Sequence, residues 1–214
     1  MKKKSIIGGT VAGVLLFGGV VLGSLFVEKV PVGTVGVVYN LDGVEETPLS
    51  QGWHMLAPFD KVIEYPVKMQ TVSFNEIKIA TSDGKNIGVD IAFNFNVDSS
   101  KAVDLYNKFG AVTVDSIADT YLRTRLRDAS RQVVSKYSVI DIYGEKSSEA
   151  QGEIQEVFAN DVEKLGFVIE GLTLGVPQAD VKTQEAIDTR VKASQELERK
   201  KTELEIAKAE AERL

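Results

Sequence analysis

The pattern of hydrophobic and polar positions divides this chain into three parts. Residues 5–27 contain no charged side chain. From there to about residue 100, apolar residues recur at every second position, and beyond it they recur at helical spacing. The pattern therefore predicts one long apolar segment, then a group of strands, then helices.

The strand region is clearest in NIGVDIAFNFNV, residues 86–97, where six apolar side chains alternate with polar ones. The preceding segment IKIATSDGK predicts a partner strand closed by an Asp83-Gly84 turn. Earlier, VGTVGVVYN and KVIEYPVKMQTVSF also alternate, and Pro66 favours an edge position because proline cannot donate to a strand ladder. These segments predict an antiparallel sheet with one buried face.

The helical region begins with residues 112–137, in which one apolar stripe should face the core. The predicted stripe comprises Val114, Ile117, Ala118, Tyr121, Leu122, Leu126, Ala129, Val133 and Tyr137. A second amphipathic helix follows and should end at Gly166, a typical C-cap, before FVIEGLTL returns as a strand with Val168, Leu172 and Leu174 on one side. The fold class is predicted to be α+β.

Residues 5–27 are predicted to form a transmembrane helix, because 23 uncharged residues at about 1.5 Å each span roughly 30 Å of hydrocarbon. Three lysines at positions 2–4 place residues 1–4 in the cytoplasm and the bulk of the chain on the extracytoplasmic side. This single-pass topology suits a cell membrane or an organellar inner membrane. The alternative is a cleaved signal peptide, although the apolar run is longer than a signal usually has.

Two G-x-x-x-G pairs occur within this segment, Gly9 with Gly13 and Gly19 with Gly23. This spacing places each pair on one helix face and lets two backbones approach closely. The pairs therefore predict packing between transmembrane helices.

Charge and composition exclude several function classes. Residues 28–214 carry 22 basic and 31 acidic side chains, a net charge of −9, which disfavours nucleic-acid binding. The chain has no cysteine and one histidine, so disulfides, thiolate zinc sites and histidine metal cages are not expected. No cofactor is predicted.

The last part, residues 178–214, is rich in charged residues and alanine and contains neither glycine nor proline. Heptad spacing predicts a weak coiled-coil seam, interrupted by Lys200. The seam comprises Ala193, Leu197, Leu204, Ala207, Ala211 and Leu214. A single solvated helix is the alternative, and in either case the helix is expected to continue beyond Leu214 because no stop signal precedes it.

No phosphate-binding loop, nucleophile elbow, zinc-protease motif or dinucleotide fingerprint occurs. The spacing Ser82-x-x-Lys85 matches one hydrolase dyad, but it straddles a predicted turn and is expected by chance in a chain of this composition. A secreted or anchored hydrolase using these two residues remains the enzymatic alternative. We predict that the protein is not an enzyme.

The stretch SQGWHMLAPF, residues 50–59, contains the only tryptophan and the only histidine. His54 has no recognisable catalytic partner nearby, so Trp53, His54, Met55, Pro58 and Phe59 are interpreted as a structural corner. Packing of Trp53 in the core is the ordinary arrangement. The alternative is a membrane-proximal corner, since tryptophan suits the boundary between membrane and water.

A stripe of charge follows at every fourth residue of the helix at 112–137. It comprises Asp115, Asp119, Arg123, Arg127 and Arg131. Such a stripe is suited to contacts with a neighbouring subunit or with lipid headgroups, and a solvated helix face is the alternative.

The order of these parts resembles the SPFH (band 7) superfamily, and within it prohibitins and related bacterial membrane proteins. The resemblance covers Lys2 to Leu214, and its most telling pieces are the corner at Gly52, His54 and Pro58, similar to the family's G-x-H-x-x-x-P, and EKLGFVIEGLTL feeding the last helix. It implies an SPFH domain over residues 28–177, non-enzymatic and followed by a long helix.

The resemblance further implies a membrane-anchored scaffold whose many copies assemble into rings or cages that organise membrane microdomains. Implied partners are membrane lipids, further copies of this chain or a related second chain, and an AAA membrane protease of the FtsH class, which the scaffold would regulate. The alternative is a small-oligomer adaptor that binds a membrane protease or channel without forming a large cage.

Overall fold

A computed structural model of the protein describes residues 27–144, 146–178 and 181–211. Its strands are β1 Val27–Val30, β2 Thr34–Asn40, β3 Gly43–Val44, β4 Gly52–Met55, β5 Lys61–Pro66, β6 Gln70–Ala80, β7 Asn86–Val97 and β8 Phe167–Leu174. Its α-helices are α1 Ala102–Phe109, α2 Val114–Ile117, α3 Arg123–Val134, α4 Val139–Tyr143, α5 Ser147–Glu163 and α6 Val181–Ala211. A 3-10 turn, Ser99–Lys101, precedes α1, and a π-helical segment, Ala118–Leu122, joins α2 to α3. The predicted α+β class is confirmed.

The described strands form three sheets, with strand orders β1-β4, β3-β2-β5 and β6-β7-β8. The chain divides into two compact units. Unit 1 contains residues 27–70, 95–119 and 163–168, and unit 2 contains residues 71–94, 120–162 and 169–211. The β6-β7-β8 sheet and the helical residues 114–134 each contribute residues to both units.

Unit 1 is built around β2, which pairs antiparallel with both β3 and β5. Pro66 lies opposite Thr34 at the end of β5, an edge strand of this sheet, so the missing amide hydrogen of proline costs no ladder bond. Tyr39 of β2 contacts Tyr106 of α1 with ring centroids 5.1 Å apart. Helix α1 therefore packs on this sheet through an aromatic pair.

The buried face predicted for β7 is confirmed. The buried side chains are Ile87, Val89, Ile91, Phe93, Phe95 and Val97. The partner strand β6 does not keep the same period, because Phe74 and Ile77 are both buried although they are three positions apart in sequence. Glu76 lies between them with φ of 55°, so β6 contains a β-bulge that restores the buried face one residue later.

The apolar stripe predicted for residues 112–137 is buried as expected except for Tyr121, which is half-buried. The structure differs in continuity, since the helix opens into the π-helical segment Ala118–Leu122. In α5 the side chains of Ala150, Ile154, Phe158 and Val162 are buried. Gly166 ends this region with φ of 89° and its amide donates to the Glu163 carbonyl at 2.9 Å, which confirms the predicted glycine stop.

The core of unit 2 joins its sheet to α5 through Phe93, whose ring lies edge-on to that of Phe158 at 5.0 Å. At the rim of this core, Glu153 accepts hydrogen bonds from Lys136 at 2.9 Å and from the Tyr137 hydroxyl at 3.0 Å. The bond from Lys136, followed by that from Tyr137, lowers the pKa of Glu153. Burial, reinforced by Glu153, raises the pKa of Tyr137 to about 12.

Several elements depart from the expected pattern. Val27, expected to end the transmembrane segment, begins strand β1. Gln178, expected to begin the last helix, instead forms a β-bridge with Gly88, and the helix begins at Val181. Val168, Leu172 and Leu174, expected on one side of β8, differ in burial, since Val168 is exposed, Leu172 is buried and Leu174 is half-buried.

Candidate functional site

The corner around Trp53 is part of a two-stranded antiparallel ribbon in unit 1. Strand β4 pairs with β1 in a register that places Met55 opposite Val27 and Trp53 opposite Lys29. Because side chains alternate across a strand, these four residues share one face of the ribbon. The same register places His54 and Gly52 on the other face, opposite Glu28 and Val30.

The face that carries Trp53 is exposed and predominantly apolar. Trp53 is 70% exposed and Met55 is 84% exposed, and Val27 is exposed beside them. Lys29 is the one charged group on this face, and its Nζ lies 5.5 Å from the centroid of the Trp53 ring. This set of Val27, Lys29, Trp53 and Met55 is called the ribbon face below.

The opposite side of the ribbon is partly covered, with Glu28 exposed there. Val30 is buried, and the half-buried His54 forms a hydrogen bond from Nε2 to the Ser50 carbonyl at 2.6 Å. Gly52 has φ of 135°, a backbone conformation that residues other than glycine rarely adopt. His54 and Gly52 therefore fix the shape of the corner.

Phe59 projects from a tight turn that follows the ribbon. The Asp60 amide donates to the Ala57 carbonyl, and the Asp60 carboxylate accepts from the Ala57 amide at 2.9 Å and from the Asn40 side chain at 2.9 Å. Pro58 and Phe59 occupy the two central positions, and Phe59 has φ of 81°, which normally requires glycine. A left-handed conformation costs a side chain about 1–2 kcal/mol, and Phe59 is nevertheless 84% exposed.

Core packing of the corner is therefore the wrong interpretation. The large apolar side chains Trp53, Met55 and Phe59 all lie at the surface of unit 1, two on the ribbon face and one on a strained turn. Such exposure costs free energy unless something covers the side chains, since burying one of them is worth about 1.5–3 kcal/mol. The arrangement is typical of a contact surface for an apolar partner.

The stripe of charges is exposed along its whole length but does not belong to one unit. Asp115 and Asp119 lie in unit 1, whereas Arg123, Arg127 and Arg131 lie in unit 2. Arg131 pairs with Asp128 on its own helix at 2.6 Å. The two remaining arginines line a surface cavity.

This cavity, called the β6 cavity below, has a volume of about 350 Å³ and lies wholly in unit 2. Its wall consists of the bulged stretch of β6, residues 74–78, together with Arg123 and Arg127 of α3. The Arg123 guanidinium stacks on the Phe74 ring at 4.5 Å. The sequence pattern did not reveal this site, because its one signal is the three-residue spacing of Phe74 and Ile77 in an otherwise alternating strand.

Near its beginning, helix α6 packs against unit 2. Ile187 and Thr183 are buried there, and the Tyr143 hydroxyl lies 3.3 Å from Gln184 Oε1. Farther along, Leu197 is 59% exposed and Leu204 is 63% exposed, and Ala193 and Ala207 are also exposed. The side chain of Ala211 and all of Leu214 lie outside the described part of the chain.

The comparison with protein families decides the identity of the domain. The model of the SPFH domain / Band 7 family matches residues 28–213. The chain belongs to this family. A comparison with curated proteins finds no match. SPFH proteins often form membrane-associated scaffolds, and members of the family are generally non-enzymatic.

Other features of this SPFH chain bear on the remaining predictions. Ser82 and Lys85 lie exposed in the turn between β6 and β7, where the Ser82 amide donates to the Tyr137 carbonyl. Within residues 27–144, 146–178 and 181–211, no group of three or more histidine, aspartate or glutamate side chains is placed to hold a metal ion. Among the helices in these same ranges, none combines the length and apolarity needed to cross a bilayer. The predicted transmembrane glycines, Gly9, Gly13, Gly19 and Gly23, lie outside the described residues.

Proposed function

We propose that this SPFH protein is a membrane-anchored oligomeric scaffold whose ribbon face and Phe59 turn rest in the membrane–water interface. The observation that carries the proposal is the exposure of Trp53, Met55 and Phe59 beside strand β1 or close to it in sequence. Strand β1 directly follows an uncharged segment of 22 residues, 5–26. Tryptophan and lysine are both suited to this depth, since each combines an apolar body with a polar end.

The anchor in this proposal is a transmembrane helix within residues 5–26, with the N-terminus in the cytoplasm and the SPFH body on the other side. Three lysines precede the segment and support that orientation. Close approach of neighbouring helices through the Gly9–Gly13 and Gly19–Gly23 pairs would hold copies together within the bilayer.

Self-association outside the membrane is assigned to α6. This helix has 31 residues, and Leu197 and Leu204 are exposed one heptad apart. Parallel pairing of such helices would cover both leucines. The stretch of α6 beyond the buried Ile187 would then extend a wall about 36 Å from the body. Rings or cages of many copies, alone or alternating with a related chain, would then separate a patch of membrane from its surroundings.

An AAA membrane protease of the FtsH class is the client that we assign to such an enclosure. The support for it is family membership alone, so the test must be direct. Gentle cross-linking in the native membrane should recover the protease with the scaffold, and loss of the scaffold should change the rate at which membrane substrates are degraded.

The scaffold itself is tested by particle size. Extraction of the full chain in mild detergent, followed by light scattering, should give a particle on the megadalton scale. A particle of a few subunits that still retains a membrane protease or channel would replace the scaffold with the small-oligomer adaptor. A monomer that stays in the aqueous phase would exclude both.

A further inference from the structure

The residues that line the β6 cavity carry a net positive charge. Lys78, Arg123 and Arg127 lie at its wall, together with the single carboxylate of Glu76. Neighbouring arginines on the same helix have acidic partners, since Arg125 pairs with Asp161 at 3.6 Å and Arg131 pairs with Asp128. Within the described part of the chain, neither Arg123 nor Arg127 has a carboxylate oxygen within 4.0 Å.

The cavity wall is rigidly built. The Glu76 amide, freed from the strand ladder by the bulge, donates to the Asp90 carboxylate at 2.8 Å. The Asp90 carbonyl in turn accepts from the Gly175 amide at 2.7 Å, and a side chain at Gly175 would meet that carbonyl at 3.0 Å. The bulge is therefore bound to Asp90, which is itself held by Gly175, as expected of a functional feature.

Arg123 is also held in position. Its guanidinium lies over Phe74, whose ring contacts Phe93 at 5.9 Å, and Phe93 packs in turn on Phe158. Stacking occupies the flat face of a guanidinium. It leaves the N–H groups at the edge free to donate within the plane of the guanidinium itself. Such an edge matches the two oxygens of a carboxylate.

A complementary acidic surface exists on α5 of the same unit. This helix has five acidic residues and no basic one. Glu153 and Asp161 are bound to Lys136 and Arg125, but Glu156 is exposed and forms no ion pair within the described residues. One turn earlier, a side chain at Gly152 would meet nothing within 4 Å, so another chain can approach Glu156 closely.

We infer that the β6 cavity is a carboxylate-binding site that receives Glu156 from a second copy of this chain. A glycine inside a helix is destabilising relative to alanine, and this cost at Gly152 is offset if the partner approaches the backbone there. Because the donor and the acceptor are different surfaces of one unit, the contact is heterologous, and repetition builds a ring or a filament. The inference rests on the self-association proposed above.

The test uses charge reversal in the full-length chain. Arg127→Glu alone opposes two carboxylates at the contact, and Glu156→Arg alone opposes two cations. We expect each to raise the concentration needed for assembly by about tenfold or more. A 1:1 mixture of the two variants should assemble again, because each copy then finds the opposite charge on the next. The double variant should assemble by itself for the same reason.

Lys108→Glu is the matched control, since it makes the same change in net charge as Arg127→Glu at an exposed position of α1 that does not line the cavity. It should assemble like the wild type. Circular dichroism and melting of all variants should match the wild type, because the substituted side chains are exposed.

Two outcomes for the variants overturn the inference while leaving the scaffold intact. Both single variants could assemble like the wild type, or both could fail without recovery in the mixture. If Arg127→Glu instead loses binding to vesicles containing anionic lipid, but not to neutral vesicles, and keeps its particle size, the cavity binds headgroups rather than a second copy. A wild-type protein that does not assemble overturns the scaffold and this contact together.

Discussion

Lys29 lies directly opposite Trp53 in the antiparallel register of β1 and β4, and its Nζ lies 5.5 Å from the centroid of the indole ring. An exposed contact of this kind is worth about 0.5–1 kcal/mol, too little to account for an apolar face left in water. The same pair is well suited to a lipid interface, where the indole enters the headgroup region and the lysine reaches anionic phosphates. The pair of Lys29 and Trp53 therefore supports the proposal that β1, the first strand of the SPFH domain, lies at the membrane interface.

The single tryptophan makes this position directly measurable. In full-length protein reconstituted into vesicles, Trp53 emission should be quenched by brominated lipid, because the ring enters the bilayer interface. The control carries Trp53→Phe together with Leu204→Trp, which places the only indole on the exposed helix α6. Its emission should be insensitive to brominated lipid. If brominated lipid quenches Trp53 no more than it quenches the indole of the control, the ribbon face does not contact the membrane.

Phe59 gives a prediction in which stability and function change in opposite directions. Phe59→Gly should raise the free energy of unfolding by about 1 kcal/mol, because glycine adopts φ of 81° without steric cost. Phe59→Ala still bears that cost and should show no such gain. Both variants lose the aromatic ring and should weaken membrane contact to the same degree. Thermal unfolding tests the expected difference in stability, and vesicle binding of the same samples tests the expected loss of membrane contact.

A result in which Phe59→Gly is no more stable than Phe59→Ala would mean that the turn bears no strain. Phe59 would then need no functional explanation for its conformation. Asp60→Asn tests the same turn in another way. It weakens the hydrogen bond that the Asp60 side chain accepts from the Ala57 amide, and it leaves the Phe59 ring unchanged.

Much of the fold follows from the sequence because burial and periodicity agree there. In β7 every second side chain from Ile87 to Val97 is buried, so its alternation shows the core face directly. Pro66 lies on an edge strand for the reason that its chemistry requires. The glycine stop at Gly166 likewise follows from a conformation that other residues avoid.

The candidate site was less predictable, because its residues depart from the ordinary rules. Trp53 and Met55 would normally be buried, and only the pairing of β1 with β4 turns their face outward. Glu76 and Phe59 adopt positive φ values that sequence patterns assign to glycine. The β6 cavity depends on Glu76, since the bulge that forms its wall arises from one extra residue in the strand.

The orientation of the chain can be tested with an engineered cysteine, because the native sequence contains none. Leu41 is 97% exposed in the turn between β2 and β3, so Leu41→Cys should leave the fold intact. In sealed cells a membrane-impermeant maleimide should label it from the extracytoplasmic side. Labelling that appears only after the membrane is opened would place the SPFH body in the cytoplasm.

The proposed seam on α6 predicts a contrast between exposed apolar residues of one helix. Replacing Leu197 and Leu204 by glutamine should reduce particle size, since each leucine buried in a helix pair contributes about 1.5–3 kcal/mol. Ile206→Gln is the control, because Ile206 is 54% exposed but lies outside the heptad positions. It should leave the particle unchanged. Equal effects at all three positions would indicate a solvated helix with no seam.

Glu153 links acid sensitivity to one side chain in unit 2. Hydrogen bonds from Lys136 and Tyr137 lower its pKa from 4.5, so the folded state binds fewer protons than the unfolded chain. Its contribution to stability is fully present above pH 4.5 and is lost as the pH falls through the lowered value in the folded state. Glu153→Gln should therefore make the decline in stability below pH 4.5 shallower, and should lower stability at neutral pH by weakening the bond to Lys136.

The control for this substitution is Glu170→Gln, which removes an exposed carboxylate from β8. Urea unfolding of both variants and the wild type at pH values between 3 and 7 gives the comparison. We expect the acid decline to stay unchanged for Glu170→Gln and to become shallower for Glu153→Gln. If the two variants instead follow one curve, the contact of Glu153 with Lys136 and Tyr137 stabilises the core of unit 2 through packing alone, since no difference in proton binding then separates the folded and unfolded states at this position.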